Sequence, residues 1–237
     1  MMSDTIIPAT FVALLLAASV AMLCFYVAPW LLRQCRMSRI RKIVIRKRLL
    51  VLTYDDGPST DLTPRLLDLL HSRRARATFF MLGKNAQLYP HIVDRVLQEG
   101  HTIGGHSDQH VHAWKAWPTA AAADIDAGYR SLSRWIPMNA MFRPPYGKMT
   151  AATYWWTRHR DISVFWWTID SGDKHRNLPS ATQVADTVRR EGGGIVLMHD
   201  INPTESRNNF VLEVTSMLLD VAESESLHIV PLTEIYR

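Results

Sequence analysis

Short apolar runs alternate with amphipathic stretches along most of the chain. Seven runs rich in β-branched and aromatic residues predict strands at residues 49–53, 77–82, 101–104, 140–142, 162–169, 194–198 and 228–231. Apolar residues at helical spacing predict helices beginning at residue 63 and at residues 90–99, 119–135, 150–159, 180–190 and 210–225. Strands that alternate with helices predict a parallel α/β architecture, either an open doubly wound sheet or a barrel.

A long uncharged segment precedes the first predicted strand. No charged residue occurs within residues 5–32, and residues 9–28 form an apolar run of 20 residues. At about 1.5 Å per residue, this run crosses a hydrocarbon layer of roughly 30 Å. Tyr26 and Trp30 lie near its end, where interfacial aromatic residues are common. A cleaved signal peptide is the main alternative, but it typically has basic residues before a shorter apolar run. We therefore expect a retained transmembrane anchor at residues 1–32.

Charge is distributed unevenly along the 237 residues, whose net charge is +5. Residues 1–48 carry eight basic side chains and one acidic side chain, whereas residues 49–237 carry 19 basic and 21 acidic ones. The basicity thus belongs to a juxtamembrane segment at residues 33–48, which could lie against anionic lipid headgroups. We expect no nucleic-acid binding by the domain at residues 49–237. The excess of Lys and Arg after the span predicts a cytoplasmic domain at a bacterial inner membrane. An outward-facing domain is the alternative.

Ionisable side chains follow several predicted strands, where loops after parallel strands build active sites. Asp55 and Asp56 follow the first strand, and because side chains alternate along a strand, one could bind a metal while the other acts as a base. His106 and His110, on a predicted helical turn, would point to the same side and suit zinc or a similar divalent ion. Taken alone, the acids also fit a solvated Asp-Gly-Pro turn, and the histidines a chance pair.

Three further clusters follow the later strands. Arg143 precedes a Pro-Pro-Tyr-Gly sequence in which the double proline fixes an extended backbone, and the amide of Tyr146 could face a ligand. A rigid surface turn is the alternative there. Asp173 follows the fifth predicted strand, and His199 with Asp200 follows the sixth. Together the clusters supply the groups needed for metal-assisted hydrolysis of an amide or ester.

In this order the motifs resemble the polysaccharide deacetylases with a NodB-homology domain, carbohydrate esterase family 4. The matching positions are Tyr54-Asp55-Asp56-Gly57-Pro58, His106-x-x-x-His110, Arg143-Pro144-Pro145-Tyr146-Gly147, Asp173 and Leu197-x-His199. The resemblance extends over residues 49–237 and implies a distorted (β/α)7 barrel, here preceded by one transmembrane helix. It also implies a metal-dependent N-deacetylase, a hydrolase acting on an N-acetylated sugar of a glycan or of a lipid-linked saccharide.

The resemblance implies a metal site and a general base. Asp56, His106 and His110 would bind a divalent metal ion, zinc or alternatively cobalt, and leave an open coordination position. Asp55 would take a proton from the attacking water, and Arg143 would hold Asp55 ionised and oriented.

The resemblance implies further roles at the remaining positions. The amide of Tyr146 would stabilise the tetrahedral oxyanion. His199, aligned by Asp173, would protonate the leaving amine. Leu197 and Pro145 would contact the substrate, Leu197 by lining the pocket for the acetyl methyl group.

One position departs from the family pattern. Lys174 follows Asp173 where the family usually has a tryptophan, although Trp166 and Trp167 are close in sequence. This departure leaves two alternatives open. One is a deformylase or other amide hydrolase acting on a sugar-lipid, and the other is a non-catalytic glycan-binding protein that retains the fold.

Overall fold

The N-terminal part of the protein is a single long helix. The structure, a computed structural model, describes residues 9–201 and 203–236, so residues 1–8 of the predicted anchor lie outside the described residues. Helix α1 (Ala9–Met22) continues through a π-helical segment (Leu23–Val27) into α2 (Ala28–Arg46) without leaving helical backbone angles. By length and composition, the stretch Thr10–Arg46 could cross a membrane, with a best-window mean hydropathy of 2.5 and none of that window buried.

Helix α2 packs one face against the rest of the protein. Met37, Ile40 and Val44 are buried at the three- and four-residue spacing of a helix stripe. Basic side chains of the predicted juxtamembrane segment also contact the domain. Arg36, for example, lies over the ring of Phe165. Part of the predicted juxtamembrane segment, residues 33–48, therefore belongs to the folded core.

A parallel sheet forms the centre of the fold, as the sequence predicts. Its strands are β1 (Leu49–Asp55), β2 (Thr78–Met81), β3 (Thr102–Gly105), β4 (Ile169–Asp170), β5 (Gly194–His199) and β6 (His228–Ile229). They are arranged in the order β3-β2-β1-β5-β4, and β6 pairs with the start of β1. Every residue of β1 is buried. Its last residue, Asp55, is in register with Phe80 of β2 and His199 of β5, which brings the ends of three strands together.

Two predicted strands are much shorter than expected. The run at 140–142 is reduced to Phe142, which forms single bridges to β3 and to Val164. The run predicted at residues 162–169 changes partner midway. Phe165 N–H donates to the Phe142 carbonyl at 2.8 Å, whereas Thr168 N–H donates to β5 at 3.0 Å. Because each half has a different neighbour, neither extends into a ladder longer than β4.

Within residues 47–201 and 203–236, seven α-helices pack around the sheet. They are α3 (Leu62–Ser72), α4 (Gly83–Leu88), α5 (Pro90–Gln98), α6 (Pro118–Leu132), α7 (Ala151–Arg158), α8 (Ala181–Glu191) and α9 (Glu205–Ser224). Capping boxes at Thr150 and Ser180 start α7 and α8, close to the predicted positions. Helix α4 is absent from the predicted helices, and α9 begins five residues before its predicted start.

Candidate active site

Two carboxylates meet at the end of β1. Asp55 is buried, and Asp56 takes a left-handed φ of 76° immediately after the strand. The alternation of side chains from one face to the other, expected along a strand, stops at Asp56, because it requires an extended backbone. Asp55 Oδ2 lies 3.8 Å, and Asp56 Oδ1 3.5 Å, from Nε2 of His106. Both acids therefore approach the same imidazole.

The carboxylate of Asp55 is held by a fully buried arginine. Nη1 of Arg143 lies 2.7 Å from Asp55 Oδ1 and also donates to the hydroxyl of Thr53 at 2.7 Å. Nη2 donates to the carbonyl of Trp166 at 3.3 Å, and the guanidinium lies 4.2 Å from the ring centre of Phe80. A buried ion pair with this many fixed contacts has little freedom to reorient. The structure thus fixes the position of Asp55 from three elements of the fold.

His106 presents one defined ring nitrogen to the acids. Its Nδ1 lies 2.7 Å from the carbonyl oxygen of Arg143. Because a carbonyl can only accept, Nδ1 carries a proton, and it is Nε2 that faces the two acids and could bind a metal. Such an outer hydrogen bond is typical of imidazoles that bind metals.

His110 is positioned by a loop, and the predicted helical turn is wrong. Residues 106–112 are not helical, and both Ser107 and His110 take positive φ values of 71° and 63°. The carboxylate of Asp124 on α6 anchors this loop by accepting from the N–H groups of Gln109 and Val111 at 2.8 and 3.0 Å. The two histidines still converge because the loop curls, with 5.0 Å between ring centres.

Asp56, His106 and His110 form a donor set that fits a divalent cation. Their ligand atoms all lie within 4.8 Å of one another. Asp56 Oδ1 is buried without a hydrogen-bond partner among the described residues, and it lies 3.2 Å from His110 Nε2. One carboxylate oxygen between two imidazole nitrogens is the ligand chemistry that zinc and similar ions prefer.

The protonation states of these residues suit metal binding. Burial, reinforced by the charge of His106, lowers the pKa of His110 to about 4. Burial raises the pKa of Asp56, but the neighbouring imidazoles of His106, His199 and His110 lower it more strongly. At neutral pH the site therefore offers a neutral imidazole and an ionised carboxylate, as a metal requires.

On the opposite side of the site, His199 is paired with a buried carboxylate. Nδ1 of His199 lies 3.0 Å from Asp173 Oδ1, and its backbone N–H donates to Asp173 Oδ2 at 2.8 Å. Burial lowers the pKa of His199, but the hydrogen bond and charge of Asp173, together with the charges of Asp55 and Asp56, raise it by more, so the net direction is upward. The pair can therefore hold a proton and release it to a group in the cavity.

These groups surround a cavity of about 490 Å³. It is lined by Asp55, Asp56, His106, His110, Tyr146, Gly147, Trp167, Asp170, Lys174, Leu197 and His199. Of the two predicted substrate contacts, Leu197 lines this cavity, whereas Pro145 is buried and lines a separate small one. Trp167 supplies an indole wall, although the usual tryptophan after Asp173 is replaced by Lys174.

Several residues of the site lack a clear signal in the sequence. Arg33 of α2 lies over the rings of Trp166 and Trp167 and reaches the carbonyl of Gly147 at 3.5 Å. A residue more than 100 positions away in sequence gives no local pattern that would predict this contact. Asp200 differs from Arg33, because it directly follows His199 in the sequence and can be associated with the site from that position.

The side chain of Asp200 explains why a glycine occupies position 57. A Cβ on Gly57 would lie 2.0 Å from Asp200 Oδ1. Asp200 Oδ2 accepts from the hydroxyl of Thr63 at 2.9 Å, and burial raises the pKa of Asp200 to about 7. The loop after Asp56 is thus packed directly against the end of β5.

Comparisons with known proteins identify the family to which the chain is similar. A family model described as polysaccharide deacetylase matches residues 43–164 of the chain. A peptidoglycan-N-acetylglucosamine deacetylase of Bacillus cereus is 32% identical over 156 residues, which cover 65% of this chain and 73% of that protein. The peptidoglycan-N-acetylglucosamine deacetylase PgdA of Listeria monocytogenes is 31% identical over 205 residues, 85% of this chain but only 41% of the relative.

A solved structure has the same fold. The crystal structure of the Bc1960 peptidoglycan N-acetylglucosamine deacetylase superimposes with a TM-score of 0.71 at 27% identity. The match covers 80% of this chain and 88% of that one. The parallel α/β arrangement therefore has a counterpart in an experimentally determined structure.

Proposed function

The chain belongs to the polysaccharide deacetylase family, hydrolases of amide bonds, and on that premise we propose that it is a metal-dependent N-deacetylase. It hydrolyses the acetamido group of an N-acetylated sugar, in a glycan or a lipid-linked saccharide, to acetate and a free amine. The observation that carries the proposal is the convergence of three groups on one cavity. These are a carboxylate paired with a buried arginine, an Asp-His-His set and a His-Asp pair.

Asp56, His106 and His110 would hold the metal ion, which we propose to be zinc, with cobalt as the alternative. When bound, such an ion polarises the substrate carbonyl and acidifies water. The unpartnered Oδ1 of Asp56 and the proton on Nδ1 of His106 support this assignment.

Asp55 acts as the general base. It accepts a proton from the water that attacks the acetyl carbonyl carbon, and its ion pair with Arg143 keeps the carboxylate aimed at that water. The N–H of Tyr146, in the loop that lines the cavity, donates to the oxyanion that forms on the carbonyl oxygen.

His199 completes the reaction. Its imidazolium, stabilised by Asp173, gives a proton to the amide nitrogen as the C–N bond breaks, so that the amine leaves neutral. Asp55 holds the proton taken from water, and acetate leaves as the acid product. Leu197 contacts the acetyl methyl group, and its position in the cavity wall supports this role.

The proposal includes the setting of the catalytic domain, residues 49–237. The apolar helix anchors that domain to a membrane, and the charge bias after the span supports a cytoplasmic orientation. We also propose that the sheet closes as a distorted barrel. The bridges from Phe142 to β3 and to Val164 support this closure.

Two substitutions test the assigned chemistry. Asp55→Asn should keep the metal and lose turnover by about 10³-fold, because the amide cannot accept the proton from water. His106→Ala should lose both the metal and turnover. Acetate release and metal content would be measured on the same purified samples, and formate release would be followed in parallel. A chelator should abolish the wild-type activity, and zinc or cobalt should restore it.

Full activity in the Asp55→Asn enzyme would refute the mechanism. Activity that survives complete removal of the metal would refute the metal dependence. Release of formate but not acetate would show that the acyl group is misassigned.

A further inference from the structure

The helix that carries the apolar segment meets the catalytic domain at the active-site end of the sheet. Near the start of α2, Arg33 reaches the carbonyl of Gly147 in a loop that lines the cavity. Near its end, Arg41 pairs with Glu191, just before β5 begins. Helix α2 therefore runs opposite to the strands, and β1 turns back after Arg48. The C-terminal ends of the strands lie on the side from which the apolar segment arrives.

An aromatic contact shows which part of this helix lies beside the active-site loops. Tyr26 in the π-helical segment meets Trp114 edge-on, with 5.8 Å between ring centres. Trp114 lies four residues after His110, and its indole N–H donates to the carbonyl of Met149 at 2.8 Å. The loops that carry His110 and Tyr146 are thus joined to each other at the level of Tyr26.

Large aromatic side chains near this contact face outward. Trp117 is 83% exposed and follows Trp114 in the same loop. Trp155 is 61% exposed on α7, a helix that packs against both the π-helical segment and α2. Exposed tryptophans of this kind are enriched where protein meets the membrane–water interface, because one side of the ring system is apolar and the N–H is polar.

The apolar run ends close to this level. Twenty residues at about 1.5 Å each cross roughly 30 Å of hydrocarbon, and the run of residues 9–28 ends within one helical turn of Tyr26. With the helix in a bilayer, Trp114 lies at the boundary between hydrocarbon and headgroups. The cavity, whose rim includes the half-exposed Tyr146, then opens at the headgroup layer.

Resting on the proposed N-deacetylase activity and its anchor, we propose that the substrate is a lipid-linked N-acetylated saccharide taken from the membrane surface. The sugar next to a lipid phosphate lies in the headgroup layer, at the height of the cavity. A glycan without a lipid anchor is not held at that height. Water is added across the amide bond, acetate leaves into solution, and the amine stays on the lipid-linked sugar.

The test compares two substrates with the full-length protein in lipid nanodiscs. One is a polyprenyl-phosphate-linked N-acetylhexosamine in the same nanodiscs, and the other is a water-soluble N-acetylchitooligosaccharide. We expect kcat/KM for acetate release to be at least about tenfold higher with the lipid-linked substrate. Trp117→Ser should lower that value about fivefold and leave the soluble substrate unaffected. Leu97→Ser is the matched control, because Leu97 is exposed at the end of α5, just before β3 begins.

A second measurement does not depend on activity. With Cys24 and Cys35 replaced by serine, an environment-sensitive fluorophore would be attached at Trp117→Cys or at Leu97→Cys. Nitroxide lipids in the nanodisc should quench the probe at position 117 strongly and the probe at position 97 weakly.

The outcomes separate this inference from the proposed function. Turnover of the soluble substrate without turnover of the lipid-linked one would overturn the inference and leave the N-deacetylase assignment standing. Equal quenching at both positions would overturn the orientation. Acetate release from neither substrate would overturn the inference, and if metal-loaded enzyme also releases none from peptidoglycan, the proposed function falls with it.

Discussion

At the scale of single residues, the pairing of His199 with Asp173 sets a pH dependence. His199 acts as an acid only while protonated, so kcat/KM should fall as pH rises through its pKa. Asp173→Asn removes a charge that raises this pKa, and the alkaline limb of the profile should move to lower pH. The profile of kcat/KM against pH would be measured for both enzymes. An alkaline limb at unchanged pH would show that His199 does not control it.

Lys174 brings a positive charge next to the metal site. Its Nζ lies 3.6 Å from Asp56 Oδ2 and donates to the carbonyl of Ile201 at 2.7 Å. The ammonium of Lys174 repels a metal ion bound by Asp56. Once solvent screening of this partly exposed side chain is included, the repulsion weakens metal binding by about 1 kcal/mol. Lys174→Met should therefore bind zinc about fivefold more tightly in competition with a chromophoric chelator.

The matched control for this charge removal is Lys148→Met. Lys148 lies over the ring of Trp114, 4.4 Å from its centre. Its loss should leave zinc affinity close to that of the wild type. If the Lys174→Met and Lys148→Met variants bind zinc with the same affinity, Lys174 does not influence the site.

Much of the site could be predicted from residue types that follow strands. The sequence indicates the three metal ligands. An Asp and two His at strand ends are rarely found together with residues such as Arg143 and His199 unless all of them serve one active site. It cannot show that Ser107 and His110 take left-handed angles, since both residues also fit a helical turn. The contact of Arg33 with Gly147 depends on how α2 packs, which no local pattern encodes.

At the scale of elements, α2 belongs to the folded domain through its buried stripe. Ile40 is 1% exposed, whereas Ile45 on the same helix is 37% exposed. Ile40→Ala should lower the free energy of unfolding by about 2–4 kcal/mol, because it leaves a cavity in a packed core. Ile45→Ala should lower it by less than about 1 kcal/mol. Denaturant unfolding of the full chain in detergent would compare the two, and equal losses would contradict the packing of α2.

Element predictions succeeded where the pattern was long and periodic. Helix α5 (Pro90–Gln98) was predicted within one residue because proline starts it and Gly100 follows it. Helix α4 has only six residues and too few apolar positions to show a period. The run at residues 162–169 is apolar enough for a strand, but its change of partner is a property of the sheet and not of the segment.

At the scale of the whole molecule, the charge asymmetry predicts the side of the membrane. Eight Lys and Arg residues follow the span within residues 33–48, and none precedes it. Such a bias is typical of proteins whose following domain is cytoplasmic, and it predicts that orientation here. A green fluorescent protein fused after Arg237 should fluoresce, and alkaline phosphatase fused at the same point should be inactive. Phosphatase activity without fluorescence would place the domain outside the cell.

The unbroken passage from α1 through the π-helical segment into α2 has a kinetic consequence. Because the helix continues without a hinge, the domain cannot swing away from the membrane on a flexible linker. The cavity therefore stays at a fixed distance from the bilayer. In the proposed membrane arrangement, enzyme and substrate meet only by lateral diffusion within a plane. The reaction rate should then follow the number of substrate molecules per unit area of bilayer. Diluting the vesicles in buffer at constant lipid composition should leave turnover per enzyme unchanged.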